Sequence, residues 1–292
     1  MLASCGAPAD STVAVSTATE NDTASLTVAV MPTLDCLPLF VAHDRGLFSK
    51  HDVSVRLVEY TAHMDCDTAL QNGSVDGMMS DLVRTEYMQK RNDSIRLRYV
   101  TATELHWQLI TNKTARLRHM AQLDDKMIAM TRHSATARIA DDVAEKGGIS
   151  PERLFRIQIN DVGVRLSMLE TGVMDAVLLP EPQATQARRA GGNVIMDTRQ
   201  QQDVRYGVLA FVDHRIASTE KKRLLEGMMA AYNEACDSIN KSGLKAYGDV
   251  VMRHCNVKAE TVGSLPDDFR YNHAASPRQK DIEAAKEWVS EE

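Results

Sequence analysis

Ala69-Leu70-Gln71-Asn72-Gly73-Ser74-Val75-Asp76-Gly77-Met78-Met79-Ser80-Asp81 reads as a helix end, a tight turn, a buried strand and a polar tip. Met168-Leu169-Glu170-Thr171-Gly172-Val173-Met174-Asp175-Ala176-Val177-Leu178-Leu179-Pro180-Glu181 reads the same way. Leu70 and Leu169, Gly73 and Gly172, Asp76 and Asp175, and Gly77 and Ala176 each stand 99 residues apart. Each glycine is expected to take the left-handed helix cap that a residue with a side chain adopts only at a cost. The apolar run after each aspartate is short and unbroken, the pattern of a parallel strand covered on both faces. So long a period is no solenoid repeat. It predicts two similar α/β lobes, each with a strand ending in polar residues, and a cleft between them.

Outward from the first cassette, Leu26–Val30 and Val53–Tyr60 read as strands and Leu37–Arg45 as a helix ended at Gly46. Asp81 is placed to cap a helix running to about Arg91, and Ile95–Thr103 is a further strand. Gln108–Thr111 then reads as a connecting strand into a second run: strand Lys126–Met130, helix Ser134–Lys146 ended by Gly147-Gly148, and strand Leu154–Ile159. Tyr206–Val212 is the candidate return strand, followed by helices over Thr219–Ser242, Leu244–Cys255 and Pro277–Val289. The alternation of helix and strand to about residue 213 argues for parallel sheets, so each lobe is expected to be a mostly parallel sheet flanked by helices. The chain is expected to cross between lobes near residues 104–108 and 198–206. That divides it into a tether (1–25), a first lobe (26–105 plus 201–292) and a second lobe (106–200).

At 292 residues there is room for two domains and a large core. A net charge of −6 with the signs mixed along the chain disfavours nucleic acid as a partner, since no basic stripe exists to displace counterions from phosphates. No apolar run approaches the length that spans a bilayer. Met1-Leu2-Ala3-Ser4-Cys5-Gly6 looks like a bacterial lipobox, and the polar stretch over residues 7–25 looks like a tether. Lipid attachment at Cys5 and a location at the periplasmic face of the cell envelope are therefore expected. Of the other cysteines, Cys36 and Cys66 fall on loops after neighbouring strands, which leaves a bridge between them open. None of the spacings is CxxC, so no structural zinc is expected.

Leu37-Pro38-Leu39-Phe40-Val41-Ala42-His43-Asp44-Arg45-Gly46-Leu47-Phe48 and the strand after it resemble the opening of type II periplasmic solute-binding proteins. The branch is the NMT1/THI5-like group, which includes receptors for alkanesulfonates, nitrate and the thiamine pyrimidine. Both cassettes are similar to that family's A-L-x-x-G-x-x-D-A pattern, and the likeness runs over about residues 26–289. The resemblance implies a two-lobed fold with a hinge of two crossovers, a small-molecule ligand, no cofactor and no metal. It also implies an ABC transporter permease as partner, with the receptor itself a monomer. The eukaryotic pyrimidine synthases of this superfamily carry a cysteine cluster that this sequence lacks.

In open α/β sheets ligands sit beyond the carboxyl ends of the strands. That rule selects Asp35, Ser80, Asp81, Arg132, His133, Ser134, Thr136, Asp161 and Glu181, with Trp107 at the crossing as a stacking surface. Ser134 is placed to cap the second-lobe helix, and free N–H groups there, with the Ser134 and Thr136 hydroxyls, are expected to hold a polar atom of the ligand. The acidic groups on the same rim make a wholly anionic ligand harder to accommodate than a heteroaromatic, an amine or a zwitterion. The readings carried forward are a receptor for a thiamine-precursor pyrimidine, an amine or a sulfonate-like solute; an enzyme on the same fold, of menaquinone-pathway or pyrimidine-synthase type; and a ligand sensor.

Overall fold

The computed structural model of the protein describes residues 25–201 and 205–292; Cys5 and the expected tether before residue 25 lie outside the described residues. Strands β1 (Ser25–Val30), β2 (Ser54–Glu59), β3 (Gly77–Asp81) and β4 (Leu97–Ala102) come first. Strands β5 (Gln108–Thr111), β6 (Lys126–Met130), β7 (Leu154–Gln158), β8 (Ala176–Leu179) and β9 (Asn193–Asp197) follow, and β10 (Gly207–Val212) is last. They form two separate five-stranded sheets, in the orders β2-β1-β3-β10-β4 and β7-β6-β8-β5-β9. Helices flank each sheet, and the fold is a two-lobed α/β one.

The cassettes explain why the sheets match. Gly73 and Gly172 have φ of +86° and +76°, and their N–H groups close the preceding helices onto Leu70 and Leu169. Each cassette aspartate then reaches sideways to the neighbouring strand. Asp76 Oδ2 accepts the Thr27 N–H of β1 at 2.9 Å, and Asp175 Oδ2 accepts the Met127 N–H of β6 at 2.9 Å. The turn and the strand register are thus set by the same few residues in both lobes. Val28 aligns with Gly77, and Ile128 with Ala176.

Each sheet is mostly parallel, with one strand of opposite sense where the helix–strand alternation predicts none. β10 runs antiparallel to β3 and β4, and β5 antiparallel to β8 and β9. The reason is the hinge: β4 ends at the cleft, so the chain that crosses from it must run away from the cleft in the second lobe. The strand returning from β9 repeats this in the first lobe. The expected helix over Leu244–Cys255 is also two pieces, a 3-10 turn at Leu244–Tyr247 and a helix at Gly248–Cys255.

The lobes share apolar packing. Leu82, Val83 and Val208 of the first lobe lie in one cluster with Trp107, Met130 and Ala135 of the second. The C-terminal helix Gln279–Glu291 contributes Ala285 and Val289 to the same cluster and straps both lobes. Lys90 Nζ donates to Val289 O, while Trp288 Nε1 donates to Asp141 Oδ2 at 3.0 Å on the second-lobe helix.

Candidate ligand cleft

The carboxyl ends of β1, β3, β6 and β8 meet along one seam, and the lobes touch across it. Leu34 N–H donates to Glu181 O at 2.9 Å, and Gln183 Nε2 donates to Pro32 O at 2.8 Å. Ala62 pairs with Asp161 in an isolated antiparallel bridge. Tyr87 and His133 stack at 3.9 Å with ring planes 3° apart.

At the centre lies Asp81, which is 1% exposed. Its Oδ1 accepts Arg84 N–H at 2.8 Å, capping its own helix Leu82–Arg91. The same oxygen accepts Ala135 N–H at 2.9 Å, at the start of the second-lobe helix Ala135–Gly147. The helix end expected to be open is therefore occupied by a carboxylate of the protein. The two hydroxyls beside it are also committed. Ser134 Oγ donates to Thr131 O at 2.7 Å, and Thr136 Oγ1 accepts Thr131 N–H at 2.9 Å. Ser134 Oγ also accepts Thr136 N–H at 3.2 Å, so Ser134 caps the helix as expected, and both hydroxyls serve backbone groups of their own loop.

Charge around this centre is balanced on one side only. Arg84 is 6% exposed and pairs with Asp67 at 2.5 Å. Burial pushes Asp81 above the usual carboxylate range, although the Arg84 guanidinium opposes it. Arg165 is buried with neutral acceptors: Ile159 O at 2.6 Å, Leu178 O at 3.0 Å and the Thr131 hydroxyl. It ties the ends of three strands together, and burial with the nearby Arg84 pushes it down to about 9. His63, whose ring lies 6.4 Å from that of Trp107, is held well below the normal imidazole range by burial and by both arginines.

The remaining expected residues fall as follows. Ser80 and Trp107 are buried, and Ser80 Oγ and Trp107 Nε1 have no hydrogen-bond partner. Asp35 is buried with Oδ1 unpartnered, and burial pushes its carboxyl up to about 6, though the Thr33 hydroxyl pulls the other way. Glu181 is buried but satisfied, accepting from Gln108 Nε2 at 3.0 Å and Thr185 Oγ1 at 2.6 Å and pairing with Arg188 at 2.8 Å. Asp161 caps the helix Val162–Glu170 through Val164 N–H at 2.8 Å. Arg132 is exposed and lines, with His133, Arg84 and Arg91, an interlobe cavity of about 480 Å3.

Cys36 and Cys66 are free, buried thiols rather than a bridge. Met31 lies between them: its N–H donates to Cys36 Sγ at 3.4 Å, and Cys66 Sγ donates to its sulfur at 3.8 Å. Sequence reading missed His63, Arg165, Gln183 and Phe269. Arg165 had one signal, a cation on the apolar face of a cassette helix; the others had none.

A two-lobed α/β fold with a seam of strand ends is the architecture of solute-binding proteins, and the comparisons narrow it. The NMT1/THI5-like family model matches residues 33–242, and the chain belongs to that family. No curated protein sequence matches it. Among solved structures, the ligand-binding component of an ABC-type import system from Staphylococcus aureus, with zinc bound, superposes with a TM-score of 0.75 at 14% identity, covering 91% of each chain. The periplasmic aliphatic sulphonate binding protein SsuA from Escherichia coli gives a TM-score of 0.73 at 14% identity, over 91% of this chain and 90% of that one. The desulfurization enzyme DszB gives 0.64 at 14% identity, over 91% and 90%. These likenesses establish the fold.

Proposed function

We propose that the chain is the solute-binding receptor of an ABC importer, capturing a small organic molecule between lobes 26–105 plus 201–292 and 106–200. The observation that carries this reading is the seam itself. Strand ends of both lobes converge there, and Ser80 Oγ, Trp107 Nε1 and Asp35 Oδ1 are buried without a partner among the described residues. Buried polar atoms are ordinarily paired, and a bound solute is what would pair these. Hinge closure without covalent chemistry is the mechanism, because a ligand touching both lobes favours the closed form. Structures of similar shape named as a periplasmic binding protein and as the ligand-binding component of an import system support the same role. In this reading Cys5 carries the lipid that holds the receptor at the periplasmic face, and the transporter permease meets the outer surfaces of the closed lobes.

The enzyme alternative has support in the shape shared with DszB. The thiols weigh against it. Burial pushes Cys36 well above the ordinary thiol range, and Asp35 beside it adds to this; burial raises Cys66 as well. A thiol held protonated is a poor nucleophile.

The test is a calorimetric and thermal-shift screen of thiamine-precursor pyrimidines, alkanesulfonates, amines and amino acids, followed by small-angle scattering with any binder. A raised melting temperature and a smaller radius of gyration are expected for the true solute. Failure of every class to bind would overturn the receptor reading.

A further inference from the structure

Two of the unpartnered atoms at the seam are acceptors with no donor. Asp35 is 4% exposed, and its Oδ1 has no hydrogen-bond partner. Gln183 is also 4% exposed; its amide nitrogen is committed to Pro32 O, which leaves Oε1 unpartnered. Both belong to the contact between the β1 loop and the end of β8. An occupant of that place must bring N–H groups.

The buried Asp35 carboxylate favours those N–H groups carrying positive charge. Asp35 lines a water-sized space of about 10 Å3, together with Glu104, His106, Glu181 and Phe269. Glu104, His106, Arg199 and Phe269 also line an adjoining cavity of about 450 Å3, large enough for the body of a small solute. Among the described residues no lysine or arginine pairs with Asp35; Arg205 and Arg270 line the larger cavity but not the small space at Asp35, and three nearer cations have carboxylate partners of their own. Arg199 pairs with Asp197 at 3.0 Å, Arg188 with Glu181 at 2.8 Å, and His106 with Glu104 at 3.3 Å. A buried carboxylate without a counter-charge is costly, and a ligand cation would relieve that cost. Phe269 lines the same space, and an aromatic ring there favours a cation further.

At the second-lobe helix end an anion finds its place taken. The helix end that would hold an anion already has the Asp81 carboxylate on Ala135 N–H. On the far side of the seam Arg84 is paired with Asp67, and Arg91 and Arg132 are exposed to water.

We propose that the cleft takes an organic molecule bearing a protonated amine, with the ammonium held by Asp35 in the space that Phe269 also lines. The proposal rests on the receptor reading and narrows its ligand class.

Titration calorimetry on the full chain tests it, with benzylamine, putrescine, tyramine and the protein amino acids as ammonium probes. Ethanesulfonate, nitrate and the hydroxymethylpyrimidine of thiamine serve as the contrasting set. At least one ammonium probe is expected to bind, and Asp35→Asn to weaken it on the order of tenfold to a hundredfold. An unliganded melting temperature of Asp35→Asn at or above that of the native chain shows that the variant is folded. Equal affinity in Asp35→Asn overturns the proposal. Binding by the contrasting set alone overturns it too, while leaving the receptor reading in place; binding by no probe takes both down.

Discussion

One oxygen, Asp81 Oδ1, accepts the backbone N–H of Ala135 across the cleft at 2.9 Å while accepting that of Arg84 at 2.8 Å. It therefore caps a helix in each lobe, and the partial positive charge of both helix ends converges on it. This contact ties the lobes directly. Its counterpart at the other pair of strand ends, Leu34 N–H to Glu181 O, uses only backbone.

Asp81→Ala removes the cap of helix Leu82–Arg91 and the acceptor of Ala135 N–H, while Ser134 Oγ still caps the second-lobe helix through Thr136 N–H. A lost cap costs about 0.5–2 kcal/mol and an amide left unpaired adds to it, so a fall in stability of about 1–3 kcal/mol by urea denaturation is expected. Small-angle scattering should also show a larger radius of gyration than in the native chain, because one interlobe tie is gone. An unchanged radius would mean that the apolar packing of Trp107, Met130 and Ala135 holds the lobes closed without it.

Thr136→Val is the matching test of the loop. The Thr136 hydroxyl accepts Thr131 N–H at 2.9 Å, and Thr131 is 4% exposed. Valine is nearly isosteric but leaves that buried amide without an acceptor, at a cost of about 1–3 kcal/mol. Chemical denaturation checks this; a variant as stable as the native chain would show that the loop rearranges to supply another acceptor.

The architecture was legible in the sequence where a residue type is forced by the backbone. Gly73 and Gly172 are needed at positive φ, and Asp76 and Asp175 are needed to receive a neighbouring strand's amide. Such demands are local and repeat, so they leave a pattern. The antiparallel sense of β5 and β10 was not legible, since a short fully buried strand reads the same in either direction. Nor was the occupation of the second-lobe helix end. Asp81 reads as a helix cap from its own neighbourhood, and its second bond goes to a backbone amide far along the chain, which imposes no residue type at Ala135. Arg165 was hidden for the opposite reason: its partners are carbonyls at strand ends, Ile159 O and Leu178 O among them.

The strap makes a separate prediction. Trp288 Nε1 donates to Asp141 Oδ2 at 3.0 Å, and the Arg138 guanidinium donates to Ala284 O. Both tie the C-terminal helix to the second lobe, while Lys90 ties it to the first. Trp288→Phe keeps most of the ring and removes the donor. A loss of about 1 kcal/mol is expected, together with faster hydrogen exchange in Gln279–Glu291 than in the native chain. Unchanged exchange there would show that Ala285 and Val289 hold the strap by packing alone.

The pH dependence of Asp35 gives the sharpest test of the seam. Burial raises its carboxyl from the ordinary 3.8 to about 6 in the folded chain. Between those two values the folded state holds a proton that the unfolded state has released. Stability therefore falls as pH rises through that window, and the full cost of the buried charge is present above about pH 6. A shift of this size corresponds to roughly 3 kcal/mol. Asp35→Asn has no proton to lose. Below about pH 4 the variant should match the native chain closely, since a protonated carboxyl and an amide are similar in shape. Its advantage should then grow up to about pH 6 and level off. The comparison isolates Asp35 from His106 and Glu104, which are present in both proteins. Urea midpoints measured at intervals from pH 4 to pH 7 check this, and a difference that stays flat across the range would show that Asp35 already has a counter-charge in the free protein.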